Sequence, residues 1–131
     1  MKILSESLER DGPIPAMFAF GQKDPENHVA LSSNRNPHIA WQELPDGTRS
    51  LALICHDPDV PSVGDDVNKE GAVVPASLPR VDFYHWVLID IEPSLGSLSE
   101  GAFSHCVTAR GKSGPQAPLA TRHGINNYTD W

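Results

Sequence analysis

The residues with the clearest chemical potential are the acidic segment DPDVP at positions 57–61 and a histidine, His85, further along the chain. A carboxylate beside an imidazole raises the pKa of the imidazole and fixes its tautomer. The two prolines stiffen the segment, which lowers the entropy cost of holding Asp57 and Asp59 in one geometry. Because His85 opens an apolar, strand-like run, we expect it to meet Asp57 or Asp59 across a sheet.

Each of these features also has a purely structural interpretation. The acids could cap a turn, and His85 could be a core histidine bonded to the backbone. Asp57, Asp59 and His85 form a known type of ligand set for a metal ion, and Ser104 could act as a nucleophile beside them. Neither spacing is specific, and the chain lacks the Gly-x-Ser-x-Gly element of a nucleophile elbow. We therefore predict no metal, no cofactor and no catalytic residue.

The elements that must position these residues are short strands. Twelve prolines and ten glycines divide the chain into short pieces, and long helical periodicity is missing. The strand candidates are residues 17–20, 38–41, 50–56, 83–91 and 102–108. The best helical candidate is residues 3–10, and residues 62–80 are predicted to form a long surface loop. The pattern predicts an all-β domain.

Two of these strands carry the candidate site. Residues 50–56 are nearly all apolar, which is typical of a strand covered on both faces, and the prolines that follow predict its end. In residues 83–91 the odd positions, His85 among them, share one face and the even positions share the other. Both faces are mostly apolar, so we expect a central strand. A turn is predicted at PDGT, positions 45–48.

Composition excludes several classes of protein. The 131 residues predict a single domain, and 10 basic against 17 acidic residues, a net charge of −7, argue against a nucleic-acid partner. No apolar run approaches the ~18 residues of a membrane helix, and the first residues do not resemble a signal peptide, so we expect a cytoplasmic protein. Cys55 and Cys106 lack metal-ligand spacing and are predicted to be buried thiols.

Taken together, these residues resemble the phosphatidylethanolamine-binding protein family, in its bacterial and archaeal branch. The resemblance is carried by PHIAW at 37–41, LPDGTRSLAL at 44–53, DPDVP at 57–61 and FYHWVL at 83–88. The order and spacing of these pieces match the family over most of the chain, from residue 14 to residue 131.

The resemblance implies a Greek-key β-sandwich with short peripheral helices, long loops and one small anion pocket at the surface. It implies that Asp57, Asp59, Pro61 and His85 line this pocket, which in the family accepts phosphate-like groups and phospholipid headgroups. On this basis we expect His85 to donate to the anion and Asp57 to orient His85. Asp59 is expected to hold the segment by bonding backbone N–H groups.

The resemblance also predicts that the single domain, residues 1–131, lacks the family's C-terminal portion. Relatives continue beyond the position of Trp131 with a Gly-Pro-x-x-Pro element and a His-Arg-Tyr-type strand. A homo-oligomer, a separate C-terminal fragment or a continuation of the same polypeptide would then complete the fold.

The function expected from these features is that of a binding module for a small anionic group, phosphate or a phosphorylated headgroup, and not that of an enzyme. Two alternatives stay open. One is a hydrolase or metal-dependent phosphoesterase that uses Asp57, Asp59 and His85. The other is a protein-interaction module that modulates a kinase or protease, with residues 62–80 as its partner-binding loop.

Overall fold

The computed structural model describes residues 1–67 and 69–128, and these residues form an all-β fold. The strands are Lys2–Leu4 (β1), Gly21–Asp24 (β2), His28–Leu31 (β3), Ile39–Gln42 (β4), Leu51–Pro61 (β5), Arg80–Ile91 (β6), Ser97–Leu98 (β7) and Arg122–His123 (β8). Short 3-10 helices occur at Ala16–Phe18, Pro93–Leu95 and Pro118–Ala120. The predicted fold class is confirmed. Among the described residues, no helix has the length and apolar character needed to cross a membrane.

The strands form three antiparallel sheets with the orders β1-β4-β7, β2-β3 and β5-β6-β8. The chain passes from β4 in the first sheet to β5 and β6 in the third and returns to β7 in the first, and the last described strand, β8, lies in the third. The core lies where these two sheets meet. Leu98 of β7 is buried against Leu88 and Ile91 of β6, together with Phe103. Burial of such side chains from water is the main force that holds the sheets together.

The long hairpin of β5 and β6 joins the core to the candidate site. β6 lies between β5 and β8, so the prediction of a central strand is confirmed. Among the described residues, β5 has only β6 as a neighbour in this sheet. One face of β5 packs Leu51 and Leu53 against the core, whereas the other face is open, with Ile54 57% exposed. The prediction that residues 50–56 are covered on both faces is therefore wrong.

The acidic segment does not end the strand, contrary to the prediction. β5 runs through both prolines to Pro61, with a register irregularity between Asp57 and Val60. An edge strand tolerates proline because the missing N–H can face away from its single neighbour. Asp57 and Asp59 therefore lie on a paired but distorted strand.

Three other element predictions are wrong for local reasons. Residues 16–18 form a 3-10 helix after Pro15 instead of a strand. The stretch 102–108 is irregular because the buried Asn36 side chain accepts the N–H groups of Phe103 and Ser104, at 2.8 and 3.0 Å, in place of a β-ladder. The predicted N-terminal helix is replaced at its start by β1, which pairs with β4.

Two predicted connections agree with the structure. Residues 45–48 form the predicted turn, in which the Thr48 N–H bonds the Pro45 carbonyl at 3.2 Å and Gly47 takes a φ of 78°, a value that favours glycine. The described part of 62–79 contains turns and no strand. Its ends are joined by a bond from the Ser62 N–H to the Pro79 carbonyl, at 3.0 Å.

Candidate functional site

A bulge at His85 decides which side chains of the hairpin share a face. Cys55 pairs with Trp86 and His56 pairs with Tyr84, so β6 contains one extra residue, His85, at this point. The simple alternation predicted along residues 83–91 is interrupted there, because a bulge shifts the register and re-aims the side chains on one side of it. The face that carries Trp86 into the core continues beyond the bulge through Phe83, the partner of Asp57.

The side chains on this inner face form a compact group of rings around His85. The Phe83 ring lies 4.9 Å from the His85 ring, and the Tyr128 ring lies 4.9 Å from Phe83 and 5.5 Å from His85. The Tyr128 Oη atom is 3.2 Å from His85 Nδ1, within hydrogen-bonding distance. Phe20 stacks on the Tyr128 ring with a centroid distance of 5.8 Å. We call Cys55, Asp57, Phe83, His85 and Tyr128 the His85 cluster.

The two acids of the DPDVP segment have different partners. The Asp57 Oδ1 atom accepts the N–H of Asp59 at 2.8 Å, while its charge acts on His85. The Asp59 carboxylate lies 3.8 Å from the Arg80 guanidinium. The structure thus gives the backbone-holding bond to Asp57, whereas the sequence interpretation gave that role to Asp59.

The structure brings Asp57 and His85 together but separates Pro61 from them. Pro61 ends β5 and pairs with Arg80, five positions before His85 on β6. At the rise of a β-strand this is a distance of about 16 Å along the ladder. Asp59 occupies the irregular stretch between these two points.

Partial burial governs the electrostatics of the cluster. Desolvation lowers the pKa of His85 below its usual value, and the nearby charge of Asp57 opposes this shift without overcoming it. The sequence interpretation expected the carboxylate to raise this pKa. The structure gives the opposite net direction, which favours the neutral form of the imidazole. Desolvation and, to a smaller extent, the charge of Asp57 raise the pKa of the Cys55 thiol. Desolvation, followed by the charges of Cys55 and Asp57, raises the pKa of Tyr128.

Tyr128 reaches His85 because the segment before it continues past β8 along the side of β6 that is opposite β5. Gly124 donates its N–H to the Val87 carbonyl at 2.9 Å, and Asn127 exchanges bonds with both backbone groups of Tyr84, at 2.7 and 3.0 Å. The Asn126 amide donates to the His85 carbonyl at 2.9 Å. A Cβ at position 124 would lie 2.7 Å from Val87 Cγ1, so the close approach requires glycine here.

Sequence reasoning missed three members of the cluster. Cys55 could have been found from its spacing of two before Asp57 on one strand, and Phe83 from its spacing of two before His85. Tyr128 gave no local signal, because it depends on a contact 43 residues distant in sequence. Both cysteines are exposed, so the prediction of buried thiols is wrong.

The described residues contain no group of three histidine, cysteine, aspartate or glutamate side chains placed to hold a metal ion. Two surface concavities lie elsewhere in the molecule. One, of about 480 Å³, is lined by residues between Ser5 and Pro15, and an apolar one, of about 280 Å³, runs between β1 and β5. Neither concavity is lined by a residue of the His85 cluster.

Comparison with known proteins matches residues 4–130 of the chain to the family model described as phosphatidylethanolamine-binding protein. Among curated proteins, the chain is similar to a UPF0098 protein of Chlamydia muridarum, with 26% identity over 85% of this chain and 69% of the relative. It is also similar to a UPF0098 protein of Aquifex aeolicus, with 27% identity over 98% of this chain and 64% of the relative.

A third relative, the UPF0098 protein YbhB of Escherichia coli, is 25% identical over 93% of this chain and 60% of the relative. The chain thus spans between 60 and 69% of the length of these three relatives. No solved structure matches the chain.

Proposed function

Because the chain belongs to the phosphatidylethanolamine-binding protein family, we propose that the His85 cluster binds a small anionic group, phosphate or a phosphorylated headgroup. Membership of this family supports a ligand-binding role in general. The observation that carries the specific proposal is the contact between Tyr128 Oη and His85 Nδ1, at 3.2 Å, on a half-buried imidazole. That contact decides which ring nitrogen is available to a ligand.

The neutral imidazole offers its Nε2–H to the ligand. With the pKa of His85 lowered, the ring carries one proton at pH 7. In this proposal the Tyr128 hydroxyl, whose oxygen lies 3.2 Å from Nδ1, donates to Nδ1, and the ring proton is then on Nε2. An N–H at a partly dehydrated site binds an oxyanion more strongly than it would in water.

Asp57 restricts the ligand to one that brings a proton or a positive charge. A carboxylate beside the anion repels a dianion, and Arg80 is close to Asp59 and not to Asp57. A phosphate monoester bound as its monoanion donates its remaining O–H to the carboxylate, and a zwitterionic headgroup offers an ammonium group. Affinity should therefore rise as pH falls from 8 towards 6, because the second pKa of a phosphate ester is about 6.

Binding is proposed in preference to turnover because the nucleophile within the cluster is poorly activated. Desolvation and Asp57 keep the Cys55 side chain as a thiol, and the thiolate is the reactive form. The Asp57 carboxylate accepts a hydrogen bond from the Asp59 N–H, and its charge acts on the His85 imidazole. The cluster thus has recognition groups but no activated attacking group.

Isothermal titration of the full chain with inorganic phosphate and with phosphoethanolamine tests the proposal. We expect His85→Ala to weaken both affinities about tenfold, the loss of one hydrogen bond to a charged group. His28→Ala is the matched control, since His28 is an exposed histidine on β3 that lies 3.6 Å from Glu70. Unchanged affinity in His85→Ala, or no binding of either compound to the wild-type protein, would overturn the proposal.

A further inference from the structure

We propose that His56, Asp82 and Tyr84, on the outer face of the β5–β6 hairpin, form a clamp that positions Asp57 and His85 for the ligand. This inference rests on the proposed function, because it assigns these three residues a role in the same site. None of them belongs to the His85 cluster. They act on it through the register of the two strands.

The contacts of the clamp cross from one strand to the other. His56 Nε2 lies 2.9 Å from Asp82 Oδ1, and the His56 ring stacks on the Tyr84 ring with a centroid distance of 5.0 Å and an interplanar angle of 20°. His56 belongs to β5, whereas Asp82 and Tyr84 belong to β6. Cross-strand pairs of this kind are the unit of stabilisation in a sheet.

The clamp acts where the hairpin has the least regular pairing. One irregularity lies between Cys55 and His56, at the extra residue His85, and the next lies between Asp57 and Val60. Only two register pairs stand between them, His56 with Tyr84 and Asp57 with Phe83. The first pair joins two residues of the clamp. The second pair joins Asp57 and Phe83, which belong to the His85 cluster.

Register has a large effect on such a short segment. A slip of one residue sends each side chain to the opposite face of the sheet, so the pairing between the two irregularities decides which face Asp57 occupies. If the pair of His56 with Tyr84 were lost, the backbone between the bulges would keep one regular pair. Asp57 would then no longer be held at a fixed separation from His85, and its influence on that imidazole would change.

Four variants of the full chain test the clamp. His56→Ala removes both contacts, His56→Phe keeps a ring to stack on Tyr84 without the bond to Asp82, and Asp82→Asn removes the charge of the partner. His28→Ala is the control, because it breaks an exposed histidine–carboxylate contact of 3.6 Å outside this hairpin. The readouts are phosphate affinity by calorimetry, the titration midpoint of His85 by NMR, and unfolding in urea.

We expect His56→Ala to weaken phosphate binding about two- to fivefold, the range of a single cross-strand pair. We also expect the His85 midpoint to move in this variant. His56→Phe should restore most of the phosphate affinity and most of the His85 midpoint. Asp82→Asn should give values between those of His56→Ala and the wild type, and His28→Ala should leave both quantities at their wild-type values. A loss of stability in His56→Ala with both site readouts unchanged would overturn the inference, as would a failure of His56→Phe to recover them.

The His85 midpoint separates this inference from the proposed function. If the wild-type protein does not bind phosphate, the proposed function fails, but the midpoint still reports whether the clamp positions Asp57 and His85. If phosphate binding requires His85 but neither the phosphate affinity nor the His85 midpoint changes in the His56 variants, the clamp inference is overturned and the proposed function stands.

Discussion

The two faces of the β5–β6 hairpin carry the same three residue types in different arrangements. They are His56, Asp82 and Tyr84 on the outer face and His85, Asp57 and Tyr128 on the inner face. On the outer face the imidazole bonds the carboxylate directly, at 2.9 Å, and stacks on the phenol ring. On the inner face the imidazole bonds the phenol hydroxyl, and the carboxylate acts on it through space.

This difference shows that the contacts, and not the residue types, decide what a histidine can do. The outer histidine, His56, is paired directly with the Asp82 carboxylate, an arrangement that suits a structural role. The inner histidine is partly desolvated among rings and has a lowered pKa, and the binding proposal assigns its Nε2–H to the ligand. The bulge at His85 produces the distinction, because it turns that side chain towards the core-bearing face.

The largest effect is expected where the inner face depends on a close backbone approach. Gly124→Ala would place a Cβ 2.7 Å from Val87 Cγ1, so the segment that carries Tyr128 must move away from β6. We expect a loss of about 1–3 kcal/mol in the free energy of unfolding, which is typical of overpacking. Urea denaturation measures this loss, and NMR of His85 shows whether Tyr128 has left it.

The matched control for this variant is Gly64→Ala, since a Cβ at position 64 meets nothing within 4 Å. It should leave both stability and the His85 signals close to those of the wild type. Equal losses in the two variants would show that the approach of residue 124 to β6 does not hold the inner face together.

A smaller effect is expected from the hydroxyl groups of the two tyrosines. Tyr128 and Tyr84 are equally exposed, at 39%, but only Tyr128 is within hydrogen-bonding distance of an imidazole nitrogen through its hydroxyl. Tyr128→Phe should cost about 0.5–1.5 kcal/mol and change the tautomer of His85, seen in its ¹⁵N shifts. Tyr84→Phe keeps the stack on His56 and should change neither quantity. The same response in both variants would contradict the assignment of Nε2–H to His85.

The reactivity of Cys55 gives a finer test of how Asp57 acts on the inner face. Asp57 raises the pKa of this thiol, so Asp57→Asn should increase the thiolate fraction at pH 7.5. We expect Cys55 to react about two- to fivefold faster with iodoacetamide, in a Cys106→Ser background that removes the other exposed thiol. Asp59→Asn should leave the rate unchanged. An equal acceleration in both variants would mean that the two acids do not act differently.

Local sequence predicts many of the strands and turns of this molecule, but it does not predict how the side chains are arranged on the inner face of the hairpin. Runs of β-forming residues predict β4, β5 and β6, and the Pro-Asp-Gly turn is predicted at its correct position. The motif containing Asp57 and the histidine before Trp86 indicates half of the site. Local patterns cannot show a bulge, because the extra residue is defined only by the partner strand.

Long-range contacts explain the remaining differences. The side chain of Asn36 replaces a ladder for residues 103–104, which leaves the predicted strand at 102–108 irregular. Tyr128 joins the cluster only after residues 124–127 have bonded to the edge of β6. Each of these contacts joins segments more than 30 residues apart, so neither periodicity nor propensity reports it.

The smallest effect concerns the dependence of stability on pH. The pKa of His85 is lower in the folded chain than the usual value of 6.5, so between these two values the unfolded chain binds more protons. The stability that His85 contributes is therefore fully present above pH 6.5 and is lost as pH falls through the lowered folded value. His123, whose pKa is also lowered by desolvation, adds a trend of the same sign.

The contribution of His85 is obtained by subtracting the urea stability of His85→Gln from that of the wild type at each pH between 5 and 8. We expect this difference to rise with pH below 6.5 and to be flat above it. If the stability difference falls with rising pH instead, the charge of Asp57 has a larger effect on the pKa of His85 than desolvation has. The inner histidine would then behave like a histidine paired directly with a carboxylate.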